Sequence, residues 1–272
     1  MPEGPEMYRM AKKIQRNLGR APIDEVWFAF DDLQPWAAKL AGQCIRSVET
    51  RGKALLVIFE QGQTIYTHNQ LYGRWMFSAP DRRPDTKRQL RLALSTASRS
   101  ALLYSASDID VLAPGQAEQH PFISKIGLDI LSSGATWEAV RAWLVQPRFR
   151  RRQLGHLLLD QAFLAGVGNY LRSEILYYAG LKPTQRMMDL NDQALDHLAD
   201  ACCEILWRSV RTGGITNDPE RAETLKAAGW RRGDYRHYVF SRAGQACFDC
   251  DSPIEKATVS GRRLYCCPVC QH

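Results

Sequence analysis

Two groups of residues in this 272-residue chain could do chemistry. The first is the opening stretch, Met1-Pro2-Glu3-Gly4-Pro5-Glu6. Proline is small enough at the second position to favour removal of Met1, which turns Pro2 into a secondary amine with the Glu3 carboxylate beside it. Amine nucleophiles attack aldehydic carbons and work through Schiff bases. A secondary amine forms an iminium, which is positively charged without being protonated and so is a standing electron sink. The same residues also have a purely structural reading, since proline favours the first turn of a helix. The second group is the pair Cys247-x2-Cys250 and Cys267-x2-Cys270, separated by sixteen residues. That is the spacing of a four-thiolate zinc ribbon built on two hairpin knuckles. Cys266 competes for register, and the two-residue gap of Cys267-Pro268-Val269-Cys270 favours Cys267. Lys256, Arg262 and Arg263 lie between the knuckles, where an arginine either faces solvent or grips a phosphate with two parallel hydrogen bonds.

The elements that must position these groups differ along the chain. Met7, Met10, Ile14 and Leu18 recur at helical spacing from Pro5, and Gly19 is a natural stop. The N-terminus of that helix favours an anionic group nearby. Residues 25–105 break into short apolar or alternating runs at Val26–Phe30, Cys44–Val48, Ala54–Phe59, Thr64–Thr67, Arg74–Phe77, Leu90–Leu94 and Ala101–Tyr104. Seven or eight strands at such spacing predict a β-sandwich or barrel. Thr50-Arg51-Gly52-Lys53 reads as a basic tip between two of them. In His68-Asn69-Gln70-Leu71-Tyr72-Gly73, Leu71 and Tyr72 read either as core residues or as a wedge that could be pushed into a base stack.

After Asp108 the pattern turns helical, with Thr136–Val145 capped by Thr136 and presenting Trp137, Val140 and Leu144 on one face. Pro147 breaks it, and the basic run Arg148–Arg152 follows. A helix over Leu154–Phe163, the turn Ala165-Gly166-Val167-Gly168-Asn169 and a helix over Tyr170–Tyr178 form a helix–Gly-turn–helix unit whose glycines would let backbone approach a phosphate. Asp192–Val210 is a further long helix, and residues 211–235 read as a polar loop.

Lysine and arginine number 36 against 29 acidic residues, a net charge of +7 that suits a phosphate-rich partner. No charged-then-apolar leader and no long apolar run is present, so neither export nor a membrane span is expected. Eight cysteines with five of them after residue 246 fit a metal site in a reducing compartment better than a disulfide framework.

Four motifs in this order, Pro2–Glu6, Thr50–Lys53, Leu159–Glu174 and the C-terminal cysteine finger, resemble the Fpg/Nei family of DNA glycosylase/AP lyases over essentially the whole chain. Asn69–Gly73, Tyr104–Asp108 and Cys270-Gln271-His272 are similar to its Nei branch, which acts on oxidised pyrimidines, rather than to its oxidised-purine branch. The resemblance implies an α+β multidomain fold. An N-terminal helix with a two-layer β-sandwich fills residues 1–128, a helix–two-turn–helix domain residues 129–235, and a four-cysteine zinc-finger hairpin residues 236–272. The domain count, not a motif, leads to the expectation of a hinge near residues 124–134, since two DNA-facing surfaces need to close on one duplex.

The resemblance also implies roles. Pro2 is the nucleophile and Glu3 the general acid/base. Lys53 is the proton donor of β-elimination, and Arg262 serves δ-elimination and grips phosphate. Asn169 and Lys125 contact DNA, and Gln70, Leu71 and Tyr72 fill the space of an extruded base. Cys247, Cys250, Cys267 and Cys270 hold one structural Zn(2+). Lys125 stands where the pattern has an arginine and keeps the charge without the fork. Gly261 replaces a serine, which would loosen the hairpin tip. Glu6 and Asp160 match family positions with supporting roles. The expected partner is double-stranded DNA carrying damaged bases or abasic sites, bound by a monomer at the cytoplasmic nucleoid. Two alternatives stand beside this reading: an oxidised-purine glycosylase of the same family, against which only the Gln70-Leu71-Tyr72 wedge argues, and, from another class, a zinc-ribbon DNA-binding protein without catalysis.

Overall fold

The computed structural model describes residues 2–131 and 135–272. Met1 lies outside the described residues, as do residues 132–134 of the expected hinge. The chain divides into two compact units, one formed by Pro2 with Glu6–Lys125 and the other by Glu3–Pro5 with Ile126–His272.

The first unit is a two-layer β-sandwich. After helix α1 (Gly4–Leu18) come β1 (Glu25–Phe28), α2 (Gln34–Leu40), β2 (Ile45–Arg51), β3 (Ala54–Phe59), β4 (Thr64–His68), β5 (Arg74–Ser78), β6 (Leu90–Ser95), β7 (Ser100–Tyr104) and β8 (Asp108–Leu112). The strands form two antiparallel sheets, in the orders β1-β6-β7-β5 and β2-β3-β4-β8. Their inner faces share one apolar core. Phe28, Leu92, Leu94 and Leu103 of one sheet meet Leu55, Val57, Phe59 and Ile65 of the other, and α1 adds Met7, Ala11, Ile14 and Leu18. Each such side chain contributes about 1.5–3 kcal/mol when fully buried. β3 is apolar throughout because its other face, Ala54, Leu56 and Ile58, is covered by Tyr66 and Ile123.

Three expectations are corrected here. The helical character does not begin at Asp108, because Asp108–Leu112 is β8, paired with β4 through His68↔Asp108. Helix α2 has Pro35 in its first turn and was hidden by the surrounding strand pattern. The strand at Val26–Phe30 ends at Phe28.

The second unit is helical and ends in a hairpin. It holds α3 (Trp137–Leu144), α4 (Leu154–Leu157), α5 (Asn169–Tyr178), α6 (Asp192–Arg211), α7 (Pro219–Ala227), α8 (Arg232–Tyr235), β9 (Glu255–Val259) and β10 (Arg262–Cys266). Thr136 caps α3 by accepting from Ala139 N at 3.2 Å, and Val140 and Leu144 are buried. Trp137, expected on the same face, is 38% exposed. The helix expected over Leu154–Phe163 stops at Leu157. Asp160 instead closes a turn by accepting from Ala162 N at 2.9 Å and pairs with Arg152 at 2.7 Å. Gln161 then braces the following glycine turn through Gly166 N and Val167 O. Residues 211–235, expected to be a loop, carry α7 and α8. Asp218 caps α7 at Arg221 N, and Pro219 opens it. Among the described residues no helix is long and apolar enough to cross a membrane.

Candidate active site and nucleic-acid interface

In the second unit the glycine turn is built around Glu3. The buried carboxylate accepts from Gly168 N at 2.8 Å, Tyr170 N at 3.0 Å and Leu171 N at 3.3 Å. It therefore occupies the N-terminus of α5, where unsatisfied N–H groups and the helix dipole favour an anion. A Cβ on Gly168 would lie 2.3 Å from the Glu3 carboxyl carbon, so this glycine is required by Glu3. Gly4 N donates to Gly166 O at 2.9 Å and fastens the same stretch. The sequence reading gave these glycines to an incoming phosphate. The group that approaches them most closely is the protein's own carboxylate, and Pro2 is its covalent neighbour.

Asn169 begins α5, and its Oδ1 accepts from Arg172 at 2.8 Å. Further along the helix, Ser173 Oγ accepts from Tyr265 N at 3.3 Å. Tyr177 donates to Asp249 at 2.6 Å, with its hydroxyl 3.1 Å from Cys247 Sγ. The fully buried Glu174 accepts from Thr216 and from the backbone N–H groups of Tyr238, Val239 and Phe240. One face of α5 thus fastens both the finger and the segment leading to it. Burial pushes the Glu174 carboxyl up, and its four hydrogen bonds oppose that shift.

The finger hairpin pairs Arg262 with Val259 across a two-residue turn, Ser260-Gly261, with φ of 54° and 68°. Positive φ at both positions is a type I′ turn, which favours glycine at the second. Gly261 therefore fits the tip instead of loosening it as the sequence reading held. Arg262 and Arg263 are exposed on this hairpin.

The thiols of Cys247, Cys250, Cys267 and Cys270 lie within 4.8 Å of one another, and two of the Sγ–Sγ distances are 3.4 and 3.8 Å. A tetrahedral ion with metal–sulfur bonds of about 2.3 Å needs edges of roughly 3.8 Å, so the donor set fits a structural metal. Cys266 lies outside the cluster, paired with Glu255 across the hairpin.

In the first unit, Gly52-Lys53 is the two-residue turn between β2 and β3, with Gly52 at φ 59°. The expected basic tip is not a solvated one. Arg51 pairs with Glu49 and Glu118 at 3.2 and 3.3 Å, and Lys53 is only 7% exposed. Its positive charge, behind the larger effect of burial, lowers the His68 imidazole below its ordinary value, against the pull of Asp108. His68 Nδ1 accepts from Gln70 N at 3.1 Å, so His68 sets the start of the next loop.

That loop presents its apolar residues to solvent. Leu71 is 60% and Tyr72 67% exposed, which removes the core reading for both. Their backbone is fixed on all sides. Gln70 sits at φ 48°, and its side chain accepts from Ser107 Oγ at 2.9 Å. Arg88 donates to Tyr72 O at 2.7 Å, and Gly73 N donates to Asn69 O at 2.7 Å. Lys125 ends a short 3-10 turn, exposed, at the last residue of this unit. Of the supporting pair, Glu6 bonds Arg9 at 2.9 Å. The sequence reading missed His68 and Arg172. The first could have been found from its place ahead of Asn69, the second only from the improbability of an arginine in an apolar helix.

A two-layer sandwich unit, and a second unit with a carboxylate-filled glycine turn and a four-thiol hairpin, define a class of base-excision enzymes. Residues 1–107 match the Formamidopyrimidine-DNA glycosylase N-terminal domain, and residues 126–220 match the Formamidopyrimidine-DNA glycosylase H2TH domain. Over all 272 residues, and over the whole of each relative, the chain is 46% identical to Endonuclease 8 of Klebsiella pneumoniae and 47% identical to Endonuclease 8 of Escherichia coli. The chain belongs to the Fpg/Nei family and is a DNA glycosylase/AP lyase of base-excision repair.

Solved structures give the same fold at low identity. The Lactococcus lactis formamidopyrimidine-DNA glycosylase, bound to DNA containing an AP site, superposes with a TM-score of 0.78 at 21% identity, over 99% of both chains. MutM in complex with DNA containing carbocyclic 8-oxo-G gives 0.81 at 20% identity, over 100% of both.

Proposed function

We propose that the enzyme removes oxidised pyrimidines from double-stranded DNA and cuts the strand at the resulting abasic site by β,δ-elimination. The observation that carries this reading is the Glu3 carboxylate, buried on three backbone N–H groups and covalently next to Pro2. Once Met1 is removed, the Pro2 nitrogen attacks C1′ and the base leaves with its bonding pair. The Glu3 carboxylate takes the proton that the Pro2 nitrogen loses and delivers it to the ring oxygen as the C1′–O4′ bond opens, leaving an iminium between Pro2 and C1′, while the departed base takes up a proton from water. Loss of a C2′ proton into that electron sink expels the 3′ phosphate, and loss of a C4′ proton then expels the 5′ phosphate. Water hydrolyses the remaining Schiff base and frees Pro2.

Lys53 serves the first elimination as proton donor, and Arg262 the second. Asn169 and Lys125 hold backbone phosphates, and Gln70, Leu71 and Tyr72 fill the stack behind the extruded base. The exposure of Leu71 and Tyr72 supports that use, because a solvent-facing apolar pair gains by entering the stack. The four cysteines hold a single Zn(2+), which supplies no chemistry to the reaction and shapes the hairpin that carries Arg262. The DNA complexes of the structural relatives support duplex DNA carrying a damaged base or abasic site as the partner. The protein acts as a monomer on chromosomal DNA in the cytoplasm. The preference for pyrimidines follows the Endonuclease 8 relatives and the Gln70-Leu71-Tyr72 loop.

Borohydride trapping on two labelled duplexes, one with thymine glycol and one with 8-oxoguanine, tests the reading. A covalent adduct at Pro2, formed chiefly with thymine glycol, is the expected result. An adduct chiefly with 8-oxoguanine overturns the substrate, and none with either overturns the mechanism.

A further inference from the structure

Arg172 is fully buried, yet no carboxylate hydrogen-bonds to it among the described residues. One terminal nitrogen donates to Gly155 O of α4 at 2.8 Å and to Val259 O of β9 at 3.3 Å. The other donates to Asn169 Oδ1 at 2.8 Å and to Arg263 O of β10 at 3.2 Å. Its Nε has no partner among the described residues. A methionine would fill this volume without the cost of desolvating a charge, so packing alone does not account for the arginine. Burial, and then the like charge of Arg262, lower its pKa to about 10 with Glu3 opposing, so it is still a cation at neutral pH.

Three of its four acceptors lie at the start of α5 and on both strands beside the Ser260-Gly261 tip, which are the backbone segments bearing Asn169 and Arg262, and the fourth, Gly155 O, ties the same guanidinium to α4. A guanidinium has donors only, so the Asn169 oxygen must face it and the Asn169 NH2 group must face away. An outward NH2 is the donor that a phosphate oxygen requires.

We propose that Arg172 is a positioning residue that orients the Asn169 amide and holds it in register with the finger hairpin, so that Asn169 and Arg262 meet the DNA backbone as one preformed unit. This rests on the phosphate-binding and elimination roles proposed above for those two residues.

The test uses full-length, metal-loaded protein and a duplex with one abasic site. Arg172→Met, Arg172→Lys, Asn169→Ala and the double variant Arg172→Met/Asn169→Ala are compared with the parent. Arg172→Met is expected to keep one metal per chain, to weaken duplex binding about tenfold and to lower the ratio of δ- to β-elimination products. Arg172→Lys, which keeps a charge but not the fork, is expected to show the same changes to a smaller extent. The double variant is expected to bind no more weakly than Asn169→Ala alone, because one effect acts through the other.

Parent-like binding and product ratio in either arginine variant overturns the proposal. So does an additive double variant, and so does loss of the metal in both arginine variants, which would make the role structural only. A parent protein that does not cut the abasic duplex overturns the elimination mechanism and this inference with it, whereas an active parent with unchanged variants overturns the inference alone.

Discussion

Glu3 and Gly168 share one volume: the carboxylate of the first fills the space that any side chain on the second would need, with 2.3 Å between a Cβ there and the carboxyl carbon. Gly168→Ala is therefore expected to displace Glu3 from its three N–H donors. Overpacking of this kind costs about 1–3 kcal/mol of stability. Misplacing an acid beside the nucleophile by about 1 Å costs on the order of a hundredfold in rate. Thermal unfolding and the rate of borohydride trapping measure the two separately. Trapping at the parent rate would show that Glu3 does not need this seat.

The exposed pair at 71 and 72 gives the opposite pattern. Leu71→Ala and Tyr72→Ala remove side chains with little buried contact, so stability should stay within about 0.5 kcal/mol of the parent. Base removal should fall, since extruding a base costs a few kcal/mol that a filled stack offsets. Cleavage of a ready-made abasic site should fall less, because no base has to leave. Single-turnover rates on the two substrates decide it, and equal losses on both would remove the wedge role.

Stripping the metal with a chelator, or replacing Cys247 with Ser, is expected to abolish tight duplex binding while the β-sandwich stays folded. The finger depends on four thiolates, whereas the sandwich core draws on none of them. Limited proteolysis alongside a binding titration reads both halves of this statement. Binding that survives metal removal would contradict it.

His237 supplies a pH dependence. Its ring is buried, 2.8 Å from Thr216 Oγ1 and 3.9 Å from Glu174. Burial, followed by Arg236 and Arg232, lowers its pKa well below the ordinary 6.5. The unfolded chain takes up a proton near that value and the folded one does not, so the stability is complete above about pH 6.5 and is lost as pH falls below it. The loss approaches 1.4 kcal/mol per pH unit at most, for one proton. Melting curves from pH 7.5 to 5 should therefore fall more steeply for the parent than for His237→Gln. Identical slopes would show that this histidine is not the source.

The parts of the molecule legible in the sequence were those with local causes. Alternation and turn residues give the strands of the sandwich, the Thr136 cap gives α3, and cysteine spacing gives the four-thiol cluster. The stretch of α7 and α8 reads as loop because it is polar and lacks an apolar stripe. What holds that segment to the fold is distant, the Thr216 hydroxyl and the N–H groups of Tyr238 to Phe240 converging on Glu174. The glycine turn was recognised as a close-approach site, but the approaching group could not be named, since its donors and acceptor lie 165 to 168 residues apart. The turn at Lys53 is legible from the Gly52 beside it, whereas its burial to 7% exposure has no signal in the local sequence.

That separation also sets an order of events during synthesis. Glu3 leaves the ribosome well before its seat, which is not complete until Leu171 has followed. At about 5–20 residues per second the interval is on the order of ten seconds or more. Throughout it Glu3 has none of its three N–H donors on α5 and the turn before it. A chain interrupted before Gly168 has Glu3 without its seat. If Pro2 and Glu3 act together as proposed, that pair is assembled only once residues 168–171 have been made, and shorter products of translation lack it.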